Sequence, residues 1–265
     1  MTAKEIMQKA GVMRRRSREY CSNAYFPIPQ LEEFLQKETV QIIATEDLIL
    51  LIEDASDLYR LYFFAEQYLS LMKIQQFLPR TSKPVILDIV GKDLRTQDLA
   101  NEIKKAGFTQ YSEFVRMICT EPTLPSEKNT ERVEFANISD VLNINKLLRK
   151  TFDPLFSHLP DIAELETAIN NKEITLIREG SKLAGFAFFE KISAKQKILR
   201  FFAVEEKFKG QNIGGALLRH QFCSSFPGTV YILWVGTYNN AQFLYKKFNF
   251  HYDGLKDYIL KYGGN

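Results

Sequence analysis

Apolar and polar residues alternate along the second half of the chain in two periods, and the switches between them lay out an ordered series of elements. A period near two predicts strands at about 132–136, 174–179, 182–190, 197–204, 229–235 and 250–260. The helical period predicts a run through Leu142, Ile144, Leu147 and Leu148, with Asn137 or Ser139 as N-cap, then a helix over 161–170 started by Pro160. Two more helices are predicted at about 213–225 and 240–248. Glu179, Gly180 and Ser181 form a turn that joins the strands at 174 and 182 into a hairpin. The predicted order is strand, two helices, three strands, helix, strand, helix, strand.

The first half echoes the second. Ile52, Ser56, Leu58, Phe63 and Phe64 match Ile177, Ser181, Leu183, Phe188 and Phe189 at a constant offset of 125 residues. Further on, Val85, Val90 and Gly91 match Val230, Val235 and Gly236 at an offset of 145, and Lys104, Lys105 and Phe108 match Lys246, Lys247 and Phe250 at 142. Matches in consistent order mark an internal repeat. The jump in offset predicts that the first half lacks about one strand and a turn between its hairpin and the next shared strand. The polar stretch 121–131, with Pro122 and Pro125, reads as a linker. The chain then divides into a domain over 1–120 and a domain over 132–265.

Composition adds exclusions. At 265 residues, 45% hydrophobic and 25% charged, the chain has the length and balance of two globular domains. No apolar run approaches the roughly 18 residues of a membrane span, and the first 25 residues lack a signal-peptide core, so a cytoplasmic protein without membrane association is expected. A net charge of +3 predicts no nucleic-acid partner, and the cluster Arg14, Arg15, Arg16 and Arg18 reads as a solvated helix face. Cys21, Cys119 and Cys223 are widely spaced and without neighbouring histidines, a pattern that gives neither a disulfide framework nor a metal site.

Chemistry concentrates between Leu199 and Leu218. A strand ending in Phe202, Ala203 and Val204 runs through Lys209, Gly210, Gln211, Asn212 and Ile213 into Gly214 and Gly215, which open a helix. Such a turn gathers backbone N–H groups at the positive end of the helix dipole, where they favour an anion such as a phosphate or pyrophosphate. The glycines let the backbone approach closely, Asn212 tolerates a left-handed conformation, and Lys209 adds a cation.

This segment resembles motif A of the GNAT (N-acetyltransferase) superfamily, with Lys209 in place of the usual Gln or Arg, Asn212 in place of the first Gly, and Gly214 at the final small position. Leu233 through Phe250 resembles motif B, with Asn239 or Asn240 as helix N-cap and Asn249 in place of the usual C-cap glycine. The resemblance covers 132–265 and implies an α+β fold with a mostly antiparallel, splayed central sheet flanked by helices, two such domains standing in tandem. It also implies acetyl-CoA or another acyl-CoA as co-substrate, without a metal. The pantetheine arm would lie along Phe202, Ala203 and Val204, and the phosphates on Lys209, Gly210, Gln211, Asn212, Ile213, Gly214 and Gly215, with Asn240 beside them. A strand N–H near Phe202 would stabilise the oxyanion, and Tyr245 stands at the position of the family's general acid. No acidic residue falls within 197–204, where many members place a glutamate, so Glu190, Asp153, His158 and water all remain open as the base.

The resemblance implies an enzyme that moves an acetyl or longer acyl group to an amine of a small molecule or peptide, as monomer or homodimer. A non-catalytic CoA sensor and a transferase using a carrier-protein or aminoacyl-tRNA donor are the other readings. In the first half, Ile103 stands where Tyr245 would be, and 66–83 contains no glycine, so a degenerate, non-catalytic copy is expected there. Phe186, Phe188, Phe189, Phe201 and Phe202 would line an apolar pocket or fill the core.

Overall fold

The alternation of helices and strands is present in the computed structural model, which describes residues 1–55, 57–92, 94–124 and 132–264. The chain divides into a first unit, residues 1–113 with 255–265, and a second unit, residues 114–254. A cut at 121–131 does not separate these units. Residues 114–124 fold with the second unit and 255–264 with the first, while 125–131 lie outside the described residues. The reason is that the strands at 109–119 and 251–262 are long, and each passes from one unit into the other. Periodicity reveals a strand but not the sheet it joins.

The first unit opens with α1 (Ala3–Arg16), β1 (Cys21–Ser22), α2 (Ile28–Leu35), β2 (Val40–Ala44), β3 (Leu48–Asp54) and β4 (Tyr59–Ala65). Two one-turn helices, α3 (Tyr68–Leu71) and α4 (Ile74–Phe77), lead to β5 (Val85–Gly91), α5 (Leu94–Lys105) and β6 (Thr109–Cys119). Strands β2, β3 and β4 form an antiparallel meander, and β4 continues in parallel to β5. Leu48, Leu50, Ile52, Leu61 and Phe63 point to one core, and Ile49, Leu51 and Phe64 point to another under α1 and α2. This two-sided burial explains why β3 reads as an unbroken apolar run rather than an alternation.

The second unit contains β7 (Glu134–Phe135), α6 (Val141–Thr151), α7 (Ile162–Asn170), β8 (Ile174–Glu179), β9 (Lys182–Ser193), β10 (Gln196–Val204), α8 (Ile213–Cys223), β11 (Val230–Gly236), α9 (Ala241–Lys247) and the start of β12 (His251–Tyr262). Asn137 and Asp161 each close a capping box at the turns where the sequence placed helix starts. Strands β7, β8, β9 and β10 are antiparallel neighbours, β11 lies parallel to β10, and β6 lies antiparallel to β11 through Tyr231↔Cys119 to Gly236↔Phe114. Ile144, Leu148 and Leu165 are fully buried against the face that carries Phe186 and Phe201. Each such side chain contributes about 1.5–3 kcal/mol.

Each unit therefore contains an antiparallel meander that ends in a parallel pair. The expected missing strand is not missing. β2, β3, β4 and β5 match β8, β9, β10 and β11 one for one, so β4 corresponds to β10, whereas the offset of 125 had set Phe63 and Phe64 against β9. Ser56, one of the matched residues, lies outside the described residues. The offset of 145 finds the right strand in the wrong register. Val85, Leu87 and Ile89 face the α5 core, but Tyr231, Leu233 and Val235 face the α8 core, so the true alignment is one residue longer.

Candidate active site

In the second unit the parallel pairing of β10 with β11 runs from Gln196↔Val230 to Leu199↔Leu233 and stops. A β-bulge falls at the same point, between Leu199 and Phe201 in the register against β9. A bulge adds twist and turns the strand away from its neighbour, so β10 and β11 part beyond Arg200. Gly185 on β9 accommodates the distortion, since a Cβ there would meet Ala203 O at 2.8 Å. The Glu205 N–H donates to Ala184 O at 2.9 Å, toward β9. Successive residues of a strand alternate edges, so the Phe202 and Val204 N–H groups face the opening.

The opening leads to α8. Asn212 stands at its N-cap with φ 57°, and Gly210 has φ 81°, the left-handed geometry expected of both positions. The first helical bond is Ala216 N–H to Asn212 O at 3.0 Å, which leaves the Ile213, Gly214 and Gly215 N–H groups at the helix start without helical acceptors. A Cβ on Gly214 would meet Phe202 Cζ at 2.9 Å and Leu244 Cδ2 at 3.0 Å. The glycine is thus what lets α8 close onto the strand it follows.

A cavity of about 1130 Å³ lies at the end of β10, walled by α6, residues 202–210, the start of α8 and α9 with the turn before it, and no β11 residue is among its lining. Of the residues singled out in the sequence, Phe202, Ala203, Val204, Lys209, Gly210, Asn212, Ile213, Gly214, Gly215 and Asn240 line it, and Gln211 does not. Leu147, Lys150, Thr151, Arg219, Leu244 and Lys247 also line it and were not anticipated. Arg219 carried a readable signal, because a cation four residues beyond Gly215 lies about one turn along the helix on the same face. Lys150 carried none, since only tertiary packing brings α6 to the cavity. Lys150, Lys209, Arg219 and Lys247 bring four cations to the wall, and Glu205 and Glu206 bring two carboxylates. Lys150 pairs with Glu205 at 2.7 Å, and Lys209 pairs with Glu206.

Tyr245 is not on the cavity wall. It is 6% exposed, with ring centroids 6.0 Å from Phe202 and 5.8 Å from Phe250. Burial pushes its phenol well above the usual range, so it stays protonated at any physiological pH. Phe202, whose ring packs against it, does line the cavity. Phe186, Phe188, Phe189 and Phe201 belong to the core. Asn240 is the N-cap of α9 without a side-chain cap bond, Asn239 Oδ1 accepts from Ala241 N–H at 2.9 Å, and Asn249 follows the helix with φ 70° as expected of a glycine substitute.

Among the acidic candidates, Glu190 lies opposite Ile198 on the α6 side of the sheet, its carboxylate 3.5 Å from Arg200 Nε at the bulge. The Arg200 guanidinium rests over the rings of Phe188 and Phe201, at 5.5 and 5.6 Å. Asp153 accepts from Leu155 N–H at 2.8 Å, a local turn contact. Among the described residues, no group of three or more His, Cys, Asp or Glu side chains is placed to hold a metal, and no helix is long and apolar enough to cross a membrane.

This splayed sheet with a glycine-opened helix at the gap is the fold of the GNAT acetyltransferases. The chain is similar to a GNAT-family acetyltransferase from Colwellia psychrerythraea, at 12% identity and TM-score 0.56 over 98% of this chain and 96% of that one. It is similar to a GCN5-related N-acetyltransferase from Kribbella flavida, at 14% identity and TM-score 0.57 over 89% and 93%. A tandem GNAT protein from the clavulanic acid biosynthesis pathway matches at 8% identity and TM-score 0.50 over 86% and 84%. No protein-family model matches the chain, and no curated protein matches it in sequence. The similarity is one of fold, and it extends over both units.

Proposed function

We propose that the second unit binds an acyl-CoA in the gap between β10 and β11 and transfers the acyl group to an amine. One observation carries this reading. An unpaired strand edge at Phe202 to Val204 and the N–H groups at the start of α8 border one cavity whose wall carries Arg219 and Lys247 beside two Lys–Glu pairs, which suits an amide-bearing arm ending in a diphosphate. The thioester carbonyl would rest on the Phe202 N–H, which stabilises negative charge on that oxygen as the amine nitrogen attacks. The new C–N bond forms, the C–S bond breaks, and the nitrogen gives up a proton to water or to Glu190. The departing thiolate takes a proton from Tyr245, a step that requires Phe202 to swing aside. Donation from a phenol whose pKa lies above that of a thiol runs against the equilibrium, and the step is drawn to completion as the phenolate recovers its proton from solvent and the free thiol leaves.

Calorimetric titration with acetyl-CoA, followed by an assay of free thiol release with a panel of amines, tests the proposal. Saturable binding and amine-dependent release are expected. Binding without release across the panel would leave a CoA-binding protein that is not an enzyme, and no binding would remove the proposal.

A further inference from the structure

We infer that the first unit is closed to acyl-CoA because residues 21–23 of its own chain occupy the place in its cleft that the pantetheine arm takes in an open one. The inference uses the proposed role of the second unit's gap as its reference, but its evidence lies wholly in the first unit.

β4 and β5 also part. Their parallel pairing is limited to Tyr59↔Val85 and Arg60↔Ile86, so from Leu61 onward the β4 edge is not covered by β5. That edge is filled by β1, which pairs antiparallel to β4 through Ser22↔Phe64 and Cys21↔Ala65. The Asn23 carboxamide completes the seal: its Nδ2 donates to Leu61 O at 2.9 Å and its Oδ1 accepts from Phe63 N–H at 2.7 Å. Ser22 Oγ donates to Phe63 O at 2.7 Å. Cys21 and Asn23 are each 8% exposed, so the strap is built into the unit and does not lie over it.

The two edges can be matched residue by residue. Glu66 N–H donates to Asp47 O, and Glu205 N–H to Ala184 O, each toward the neighbouring antiparallel strand. Three residues earlier, Phe63 and Phe202 both turn their N–H to the gap and their side chains to the equivalent core. The Asn23 amide oxygen therefore rests on the N–H that corresponds to the one proposed to hold the thioester carbonyl. An asparagine side chain is a primary amide, and it meets the edge with the donor and acceptor pair that a pantetheine amide offers.

The diphosphate end is absent too. Where the second unit has the glycines and the 11-residue α8, the first has α3 and α4, of four residues each, in a stretch without glycine. Asp47 ties this stretch down, accepting from Ser70 Oγ and Lys73 Nζ at 2.7 Å each. On the other side, Phe26 stacks on Phe34 and meets Tyr62 edge-on, both at 5.0 Å, which anchors the strap's exit.

Amide hydrogen exchange on the full chain, with and without acetyl-CoA, combined with calorimetric stoichiometry, tests the inference. The Phe63 amide should be protected in the free protein and unchanged by coenzyme, with at most one acetyl-CoA bound per chain. Asn23→Ala should speed Phe63 exchange at least about tenfold and lower Tm by roughly 4 °C, since two buried hydrogen bonds are lost. Ser22→Ala should do the same more weakly and serves if Asn23→Ala does not fold. A second equivalent of acetyl-CoA, or Phe63 protection that arises only when acetyl-CoA is added, would overturn the inference. A protein that binds no coenzyme at all but protects Phe63 would support the strap while removing the proposed role of the second unit.

Discussion

The two sheets solve one problem in opposite ways. Each carries a parallel pair that parts partway along, and each parting exposes backbone N–H and C=O groups that need partners. In the first unit β4 keeps an unbroken register against β3, and Asn23 and Ser22 satisfy the exposed edge. In the second unit β10 is bulged at Arg200 and its edge borders a cavity. The comparison teaches that the parting belongs to the fold, whereas its availability to a ligand depends on a few residues beside it. In the first unit a polar side chain on a neighbouring loop is enough to make the exposed edge a structural one.

The strongest way to break this contrast is at Gly214. Gly214→Asp should weaken acetyl-CoA binding by about 100-fold or more, because a carboxylate would face the phosphates at the helix start. The structure adds a steric cost, with Phe202 and Leu244 at 2.9 and 3.0 Å from an added Cβ. Gly214→Ala separates the two effects, and a loss near tenfold is expected from crowding alone. Calorimetry on both variants gives the split. Wild-type affinity in Gly214→Asp would mean that the coenzyme binds somewhere other than this turn.

Tyr245→Phe sharpens the contrast next, since the matching residue in the first unit is the apolar Ile103, buried in the same way. The variant keeps the packing against Phe202 and Phe250 and removes only the hydroxyl. Turnover should fall by about 10²-fold, the usual scale for a lost general acid, while the dissociation constant for acetyl-CoA stays within about twofold. Equal turnover would leave Tyr245 as a core residue whose phenol plays no part.

Much of this was legible in the sequence. The element order of the second unit follows from periodicity and turns, and the left-handed positions at Asn212 and Asn249 follow from residue type. The parting of the sheets was not legible as such, yet its traces are there: Leu199, Phe201, Phe202 and Ala203 repeat Leu61, Phe63, Phe64 and Ala65 at an offset of 138. After the bulge the structural match moves on by one residue, at the point where the pairing of β10 with β11 stops. No local pattern could reveal it, because a bulge is defined by a partner strand. The strap was hidden for the same reason, since Asn23 is separated from Leu61 and Phe63 by about 40 residues and its role arises only when they meet. The unit boundaries were misplaced because the long strands at 109–119 and 251–262 each serve both units.

The smallest expected effect concerns buried charge. In the second unit the buried carboxylates Asp140 and Asp253 each meet an arginine, Arg178 and Arg116. In the first, Asp88 on β5 and Asp257 on β12 lie near one another, and one oxygen of each is shut off from solvent without a hydrogen-bond partner. Burial raises both above the ordinary carboxyl range. Asp88 raises Asp257 further, and Arg60 partly offsets the rise at Asp88. A carboxyl that binds its proton more tightly when folded contributes full stability below the unfolded pKa, near 3.9, and loses it as pH climbs through the folded value. Wild-type stability should therefore fall between about pH 4 and pH 8 by more than that of Asp257→Asn, which is neutral throughout. At pH 8 the variant should melt higher than the wild type, and the two proteins should converge near pH 4. Parallel melting curves across that range would show that the pair is solvated in the folded chain, and would leave the two units alike in how they carry buried charge.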